Sequence, residues 1–170
     1  MDGVCITGGE PLMQTELYEL IREIKDLGFL IKLDTNGAFP DALSEILSKG
    51  IIDYVAMDLK NSPEKYPLTC GRNEQNPDEF FIPFKRSIDI LMSGKIDYEF
   101  RTTVVPELHT ISDIEKIGEQ IVGAKRWFLQ SFKDSGDLIK GNFTEPTREF
   151  MESLKAKAEN FAVLCEIRGI

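Results

Sequence analysis

Leu17, Leu20, Ile21, Ile24 and Leu27 recur at three- and four-residue spacing and stop at Gly28, the pattern of a helix with one apolar stripe and a glycine terminus. Before it, Val4, Cys5, Ile6 and Thr7 form a short apolar strand. After it the period alternates: 29–34 predicts a strand, 41–49 a helix, 52–58 a strand. The stretch 61–77, with Pro63, Pro67 and Gly71, predicts a loop, and a helix follows near 84–92. The rest predicts a strand over 98–105, a helix over 112–122, a strand over 127–132, a helix over 146–160 and a closing strand over 161–167. Strands that alternate with helices pair in parallel, with the crossover helices outside. The expected fold class is α/β, with the sheet curling into a partial (βα) barrel, and the chain is expected to be one domain over 1–170.

Alternation along each strand then separates two faces. Ile31 and Leu33, Val55, Met57 and Leu59, and Tyr98, Phe100, Thr102 and Val104 are expected to face the helices. Lys32, Asp34 and Asn36, Ala56, Asp58 and Lys60, and Glu99, Arg101 and Thr103 fall on the inward face, with Gln130 between Phe128 and Phe132. Polar side chains thus converge from several strands near their C-terminal ends, where parallel α/β folds place ligands. Some of these could instead be ion pairs closing the barrel mouth, but so many inward polar groups would be a costly way to build a dry core.

The first strand runs into Gly8, Gly9, Glu10 and Pro11. Two glycines let a ligand approach backbone carbonyls closely, Glu10 offers a carboxylate to a cationic group, and Pro11 suits a first helical turn.

Composition narrows the function classes. A formal charge of -9 argues against a general nucleic-acid binder. No apolar run is long enough for a membrane span and no signal peptide is evident at the N-terminus, so a cytoplasmic location is expected. Cys5, Cys70 and Cys165 are scattered, matching neither a disulfide framework nor a zinc site, and are expected to be buried or idle thiols. His109 lies in a loop after Pro106, where a surface or capping position is expected ahead of a general base. Trp127 is expected in the core.

Gly8-Gly9-Glu10-Pro11, Asp34-Thr35-Asn36-Gly37, Met57-Asp58-Leu59-Lys60 and Arg101-Thr102-Thr103-Val104-Val105-Pro106 occur in an order that resembles the radical S-adenosylmethionine (SAM) superfamily. Within it the chain most resembles the activating enzymes of glycyl-radical proteins, such as those of anaerobic ribonucleoside-triphosphate reductase and pyruvate formate-lyase. The resemblance implies a 4Fe-4S cluster that reduces SAM to methionine and a 5'-deoxyadenosyl radical, which takes a hydrogen from a glycine of the partner protein. It also implies an electron donor such as flavodoxin or ferredoxin. Carbonyls near Gly8 and Gly9, with Glu10, would meet the methionyl ammonium, while Lys60 and Arg101 would meet its carboxylate. Asp34, Thr35 and Asn36 would face the ribose and methionyl part, Asp58 would orient Lys60 or meet the partner, and Gln130 would meet the adenine.

One departure stands out. The family holds its cluster with a Cys-x-x-x-Cys-x-x-Cys loop after its first strand, and that loop is absent from this sequence. The chain therefore reads as a fragment lacking the first strand-helix unit, inactive alone, whose full-length parent carries the cluster. The strand at Val4 is expected to present an unpaired edge open to self-association. Alternatives are a radical SAM enzyme acting on a small molecule or peptide, of the deazaguanine-forming or sulfatase-maturing type, and a SAM-binding or scaffold module without redox chemistry.

Overall fold

A computed structural model of the chain describes residues 3–73, 76–134, 136 and 143–170. Six strands, β1 (Gly3–Ile6), β2 (Leu30–Thr35), β3 (Tyr54–Asp58), β4 (Asp97–Val104), β5 (Ala124–Ser131) and β6 (Ala162–Arg168), lie in the sheet in the order of the chain. The helices between them are α1 (Leu17–Asp26), α2 (Pro40–Ser48), α3 (Tyr66–Thr69), α4 (Pro77–Met92), α5 (Ile111–Gln120) and α6 (Arg148–Ala158). The chain divides into two compact units, one running to Asp58 and including Ile82–Glu99, the other comprising Leu59–Phe81 and Phe100–Ile170. Among the described residues no helix is long and apolar enough to cross a membrane.

In the first unit β1, β2 and β3 pair in parallel, with Ile6 opposite Leu33 and Thr35 opposite Met57. Ile31, Leu33, Val55 and Met57 are fully buried, whereas Lys32, Asp34 and Asp58 on the alternate positions are half-buried. Each such apolar side chain stabilises the fold by about 1.5–3 kcal/mol. The stripe of α1 is narrower than its spacing suggests. Leu17 and Ile21 are buried, but Leu20 is 49% and Leu27 75% exposed, because these two sit on the flank of the i, i+4 line that meets the sheet. The Asp53 carboxylate joins three elements, taking the Lys25 ammonium at 2.9 Å and the Ile31 N–H at 2.6 Å.

In the second unit β4 pairs β5 and β5 pairs β6, again in parallel. Trp127 is fully buried as expected, and its indole N–H donates to Thr102 Oγ1 at 3.0 Å. Thr110 caps α5 through a reciprocal box with Asp113, and Thr147 caps α6.

Two expectations need correction. The helix expected near 84–92 begins at Pro77, with Pro83 inside it. Pro77 suits a first turn and Asp78 and Glu79 favour the helix N-terminus. Phe81, Phe84, Ile88 and Leu91 bury one face, which outweighs the single hydrogen bond Pro83 removes. The stretch after Leu59 is structured as well: a 3-10 turn over Pro63–Lys65 leads into α3, with Asn61, Ser62 and Tyr66 buried. Tyr66 stacks edge-on against Phe81 with centroids 5.0 Å apart, so an aromatic anchor holds what proline and glycine content marked as loop.

Candidate functional site

Two glycines set the turn after β1. Gly8 has φ 92° and Gly9 φ 54°, torsions that side chains disfavour. A Cβ built on either would meet no atom within 4 Å, so torsion rather than crowding requires glycine and the space beside both is open. A cavity of about 390 Å³ lies against Gly8, lined also by Ile6, Thr7, Pro11, Leu17 and Leu20. Pro11 opens a 3-10 turn, Pro11–Met13, for which Glu10 is the N-cap.

The Glu10 carboxylate points inward and is buried. Its Oε1 accepts the Leu12 N–H at 3.2 Å and the Thr35 hydroxyl at 2.8 Å, and its Oε2 accepts the Asn36 N–H at 2.6 Å. Thr35 Oγ1 in turn accepts the Gly37 N–H at 3.1 Å. The loop after β1 and the turn after β2 are thus one hydrogen-bonded assembly. Asp34 is half-buried on the other face of β2, with the Lys32 ammonium 2.8 Å from its Oδ1. The Asn36 side-chain oxygen accepts the Ala38 N–H at 2.8 Å. Thr35 lies on the buried face of Ile31 and Leu33 rather than beside Asp34. The structure therefore brings Gly8, Gly9, Glu10 and Pro11 together with Thr35 and Asn36, while Asp58 ends β3 in the same unit.

In the second unit the Leu59 N–H donates to the Arg101 carbonyl at 2.7 Å, which sets the segment carrying Lys60 beside β4. Lys60 and Arg101 are half-buried. Thr103, exposed, is the register partner of Gln130, half-buried, and Gln130 is that of Arg168. The Arg168 guanidinium lies 3.3 Å from the Phe128 ring centroid.

For His109 the surface half of the expectation fails, while its backbone hydrogen bonds agree with the capping half. It is 1% exposed rather than at the surface. Its Nδ1 lies 3.1 Å from the Val105 nitrogen, an N–H donor, and its Nε2 2.9 Å from the Lys60 carbonyl. A tautomer with hydrogen on Nε2 satisfies both, and burial pushes the imidazole pKa below its usual 6.5. Next to it Asp113 takes the Ser62 hydroxyl at 3.1 Å, the Lys65 ammonium at 2.7 Å and the Thr110 N–H at 2.8 Å. Burial pushes the Asp113 carboxyl up, but Lys65 and Thr110 outweigh it and hold the pKa below 3.8. The available signal was Thr110-x-x-Asp113, a capping box directly after His109 that ties the loop into a helix.

Residues 1–121 match the radical SAM superfamily. The chain belongs to that superfamily. This radical SAM chain is 34% identical over 139 residues to a Methanocaldococcus jannaschii protein named "putative glycyl-radical enzyme activating enzyme", covering 80% of this chain and 58% of that one. It is 28% identical over 130 residues to the 7-carboxy-7-deazaguanine synthase of Thermoplasma acidophilum, covering 71% of this chain and 59% of that one. The chain thus spans little more than half the length of these relatives. A crystal structure of a domain of pyruvate-formate lyase-activating enzyme from Bacteroides vulgatus matches 99% of this chain and 100% of its own, with TM-score 0.74 at 16% identity. That likeness shows the fold, α/β of the radical SAM partial-barrel class.

Membership implies SAM and, typically, a 4Fe-4S cluster. In the first unit the open glycine turn and the half-buried Asp34 and Asn36 offer polar groups of the kind an ammonium or a ribose needs, and in the second unit the half-buried Lys60 and Arg101 offer cations of the kind a carboxylate needs. The cysteines do not fit a cluster. Among the described residues no three His, Cys, Asp or Glu gather as a metal site. Burial pushes the Cys165 thiol up to about 12 and also raises Cys70, opposite to what thiolate ligands need.

Proposed function

We propose that this chain is the SAM-binding part of a glycyl-radical activating enzyme, whose whole protein cleaves SAM reductively and installs a glycyl radical on an anaerobic reductase or lyase. The observation that carries this is the open Gly8–Gly9 turn hydrogen-bonded through Glu10 to the Asp34–Asn36 segment, in a superfamily member 34% identical to a protein named for glycyl-radical enzyme activation. In this reading Gly8 and Gly9 present carbonyls to the methionyl ammonium, and Asp34 and Asn36 face the methionyl and ribose part. Lys60 and Arg101 take the carboxylate, Arg101 with two parallel hydrogen bonds. Asp58 orients Lys60 or meets the partner protein, and Thr103 and Gln130 face the adenine end. The cluster is held by cysteines other than Cys5, Cys70 and Cys165, and the electron comes from a small donor of the flavodoxin or ferredoxin kind. A second reading, a small-molecule radical SAM enzyme, is favoured by the identity to a 7-carboxy-7-deazaguanine synthase.

Anaerobic iron-sulfide reconstitution of this chain beside a version extended upstream in its reading frame tests the proposal. The extended form is expected to yield 5'-deoxyadenosine and, with a glycyl-radical protein added, the glycyl radical signal in electron paramagnetic resonance. 5'-Deoxyadenosine with no radical on any such protein favours the small-molecule reading. If neither form binds SAM in calorimetry, a scaffold without this cofactor replaces both.

A further inference from the structure

A carboxylate that is to grip a ligand's ammonium needs an accessible oxygen, and Glu10 has little to offer. It is 7% exposed, and both of its oxygens already serve the chain's own donors: Leu12 N–H, Thr35 O–H and Asn36 N–H. The shortest bond, 2.6 Å, goes to Asn36, where the ladder between β1 and β2 has already stopped. There the backbone donor has no strand partner, and a carboxylate from the neighbouring strand's loop supplies one. The chain of bonds continues. Thr35 Oγ1 donates to Glu10 while accepting from Gly37 N–H, and Ser87 Oγ of α4 donates to the Gly37 carbonyl at 2.8 Å. Swinging Glu10 out toward a ligand would strand the buried Thr35 O–H and take the acceptor from the half-buried Asn36 N–H. The two glycines beside it have no side chains to hold them, and glycine loses more backbone freedom on ordering than any other residue.

We infer that Glu10 is a positioning residue: it fastens the Gly8–Gly9 turn to the turn after β2, so that the glycine carbonyls and the Asp34 and Asn36 side chains form one binding ledge, and it does not itself take the ammonium. The inference rests on the SAM-binding reading for its purpose, but the fastening can be measured without any ligand.

The first arm uses ¹⁵N-labelled chain. Glu10→Gln replaces one acceptor oxygen by a donor that opposes Asn36 N–H or Leu12 N–H. The Asn36 and Leu12 amide resonances are expected to move upfield and exchange with solvent faster. Thr35→Val, a second variant should Glu10→Gln fold poorly, is expected to perturb the same amides, and Thr35→Ser to restore them. The second arm measures affinity of the upstream-extended, reconstituted protein for SAM and for its analogue with a hydroxyl in place of the α-ammonium. A fastening role lowers both affinities by a similar factor, roughly ten- to hundredfold. It also makes Glu10→Gln with Thr35→Val no worse than the poorer single variant. The inference is overturned if Glu10→Gln weakens SAM alone, leaves the analogue unchanged and leaves the Asn36 and Leu12 amides where they were. Should no form bind SAM, the functional reading fails while the amide shifts still decide the role of Glu10.

Discussion

Burial keeps the His109 imidazole neutral, and the two backbone groups it joins, Val105 N–H and the Lys60 carbonyl, have it as a hydrogen-bond partner. Protonation would turn Nδ1 from acceptor to donor, trading the Val105 N–H for the Val105 carbonyl 3.2 Å away and placing a charge in a buried site. The sign follows from linkage: the folded pKa is below the usual 6.5, so between the two values the unfolded chain binds more protons. The stability is therefore complete above 6.5 and falls as pH drops through the window between the usual and the lower folded value. Asp113, whose folded pKa is depressed, contributes stability that is present above 3.8 and is lost further into acid. The two losses are separable by pH. Urea unfolding at neutral pH and again about one unit below the usual histidine value is expected to show the fall, and His109→Gln to remove that slope. The variant should also cost about 1–3 kcal/mol at neutral pH, because one of the two buried backbone groups loses good geometry. An unchanged slope in the variant would put the acid sensitivity elsewhere.

Among the elements, the turn after β2 is held by both torsion and packing. Gly37 has φ 79°, and a Cβ there would overlap the Met57 methyl group on β3. Gly28, which ends α1, has φ 89° but open space around it. Alanine at either position meets the same torsional objection, about 1 kcal/mol. Only Gly37→Ala adds the overlap, and because the Met57 methyl is the far end of a flexible side chain this is expected to destabilise by no more than about 1 kcal/mol further. Thermal or urea unfolding of both variants checks this, and equal losses would mean that Met57 moves aside freely. The same elements show what was legible in the chain. Strand β2 could be placed because Ile31 and Leu33 alternate with Lys32 and Asp34, an alternation that survives folding as burial, whereas β3 and β4 also bury Ala56 and Glu99 on the other face and were placed by their apolar content. The start of α4 was missed because Pro83 reads as a breaker, although its helix buries Phe81, Phe84, Ile88 and Leu91 on one face. Thr35 was grouped with Asp34 and Asn36 by motif, whereas strand parity puts it with Leu33. The acceptor that occupies it, Glu10, is 25 residues away and unreadable from local pattern.

At the scale of the whole chain, the motif order was sufficient for the superfamily and the class of fold, whereas the burial of His109 and of the Glu10 carboxylate needed coordinates. Charge and edge now oppose one another. Among the described residues β1 is the outermost strand on its side of the sheet, and a net charge of -9 repels a second copy that would pair there. Salt screens the repulsion, with a Debye length of about 10 Å at 0.1 M, so the dimer fraction in size-exclusion chromatography is expected to rise with ionic strength. A strict monomer at high protein concentration and high salt would retire the edge. The cysteines give the sharper test, because the proposed activity needs a cluster and this chain's thiols are poorly placed for one. Cys165 is buried with its pKa pushed up to about 12, Cys70 is raised by burial, and Cys5 is exposed on β1. Thiolates bind iron and thiols hold their protons, so neither raised group is ready near neutral pH. If cluster ligation lies outside these residues, replacing Cys5, Cys70 and Cys165 together by Ala in the upstream-extended protein leaves iron content and the cluster's absorption after reconstitution unchanged. Replacing Cys165 alone is expected to cost about 1 kcal/mol of stability through the small cavity it leaves. Loss of iron in the triple variant, with the fold intact by circular dichroism, would return the cluster to this chain and reverse the assignment of its cysteines.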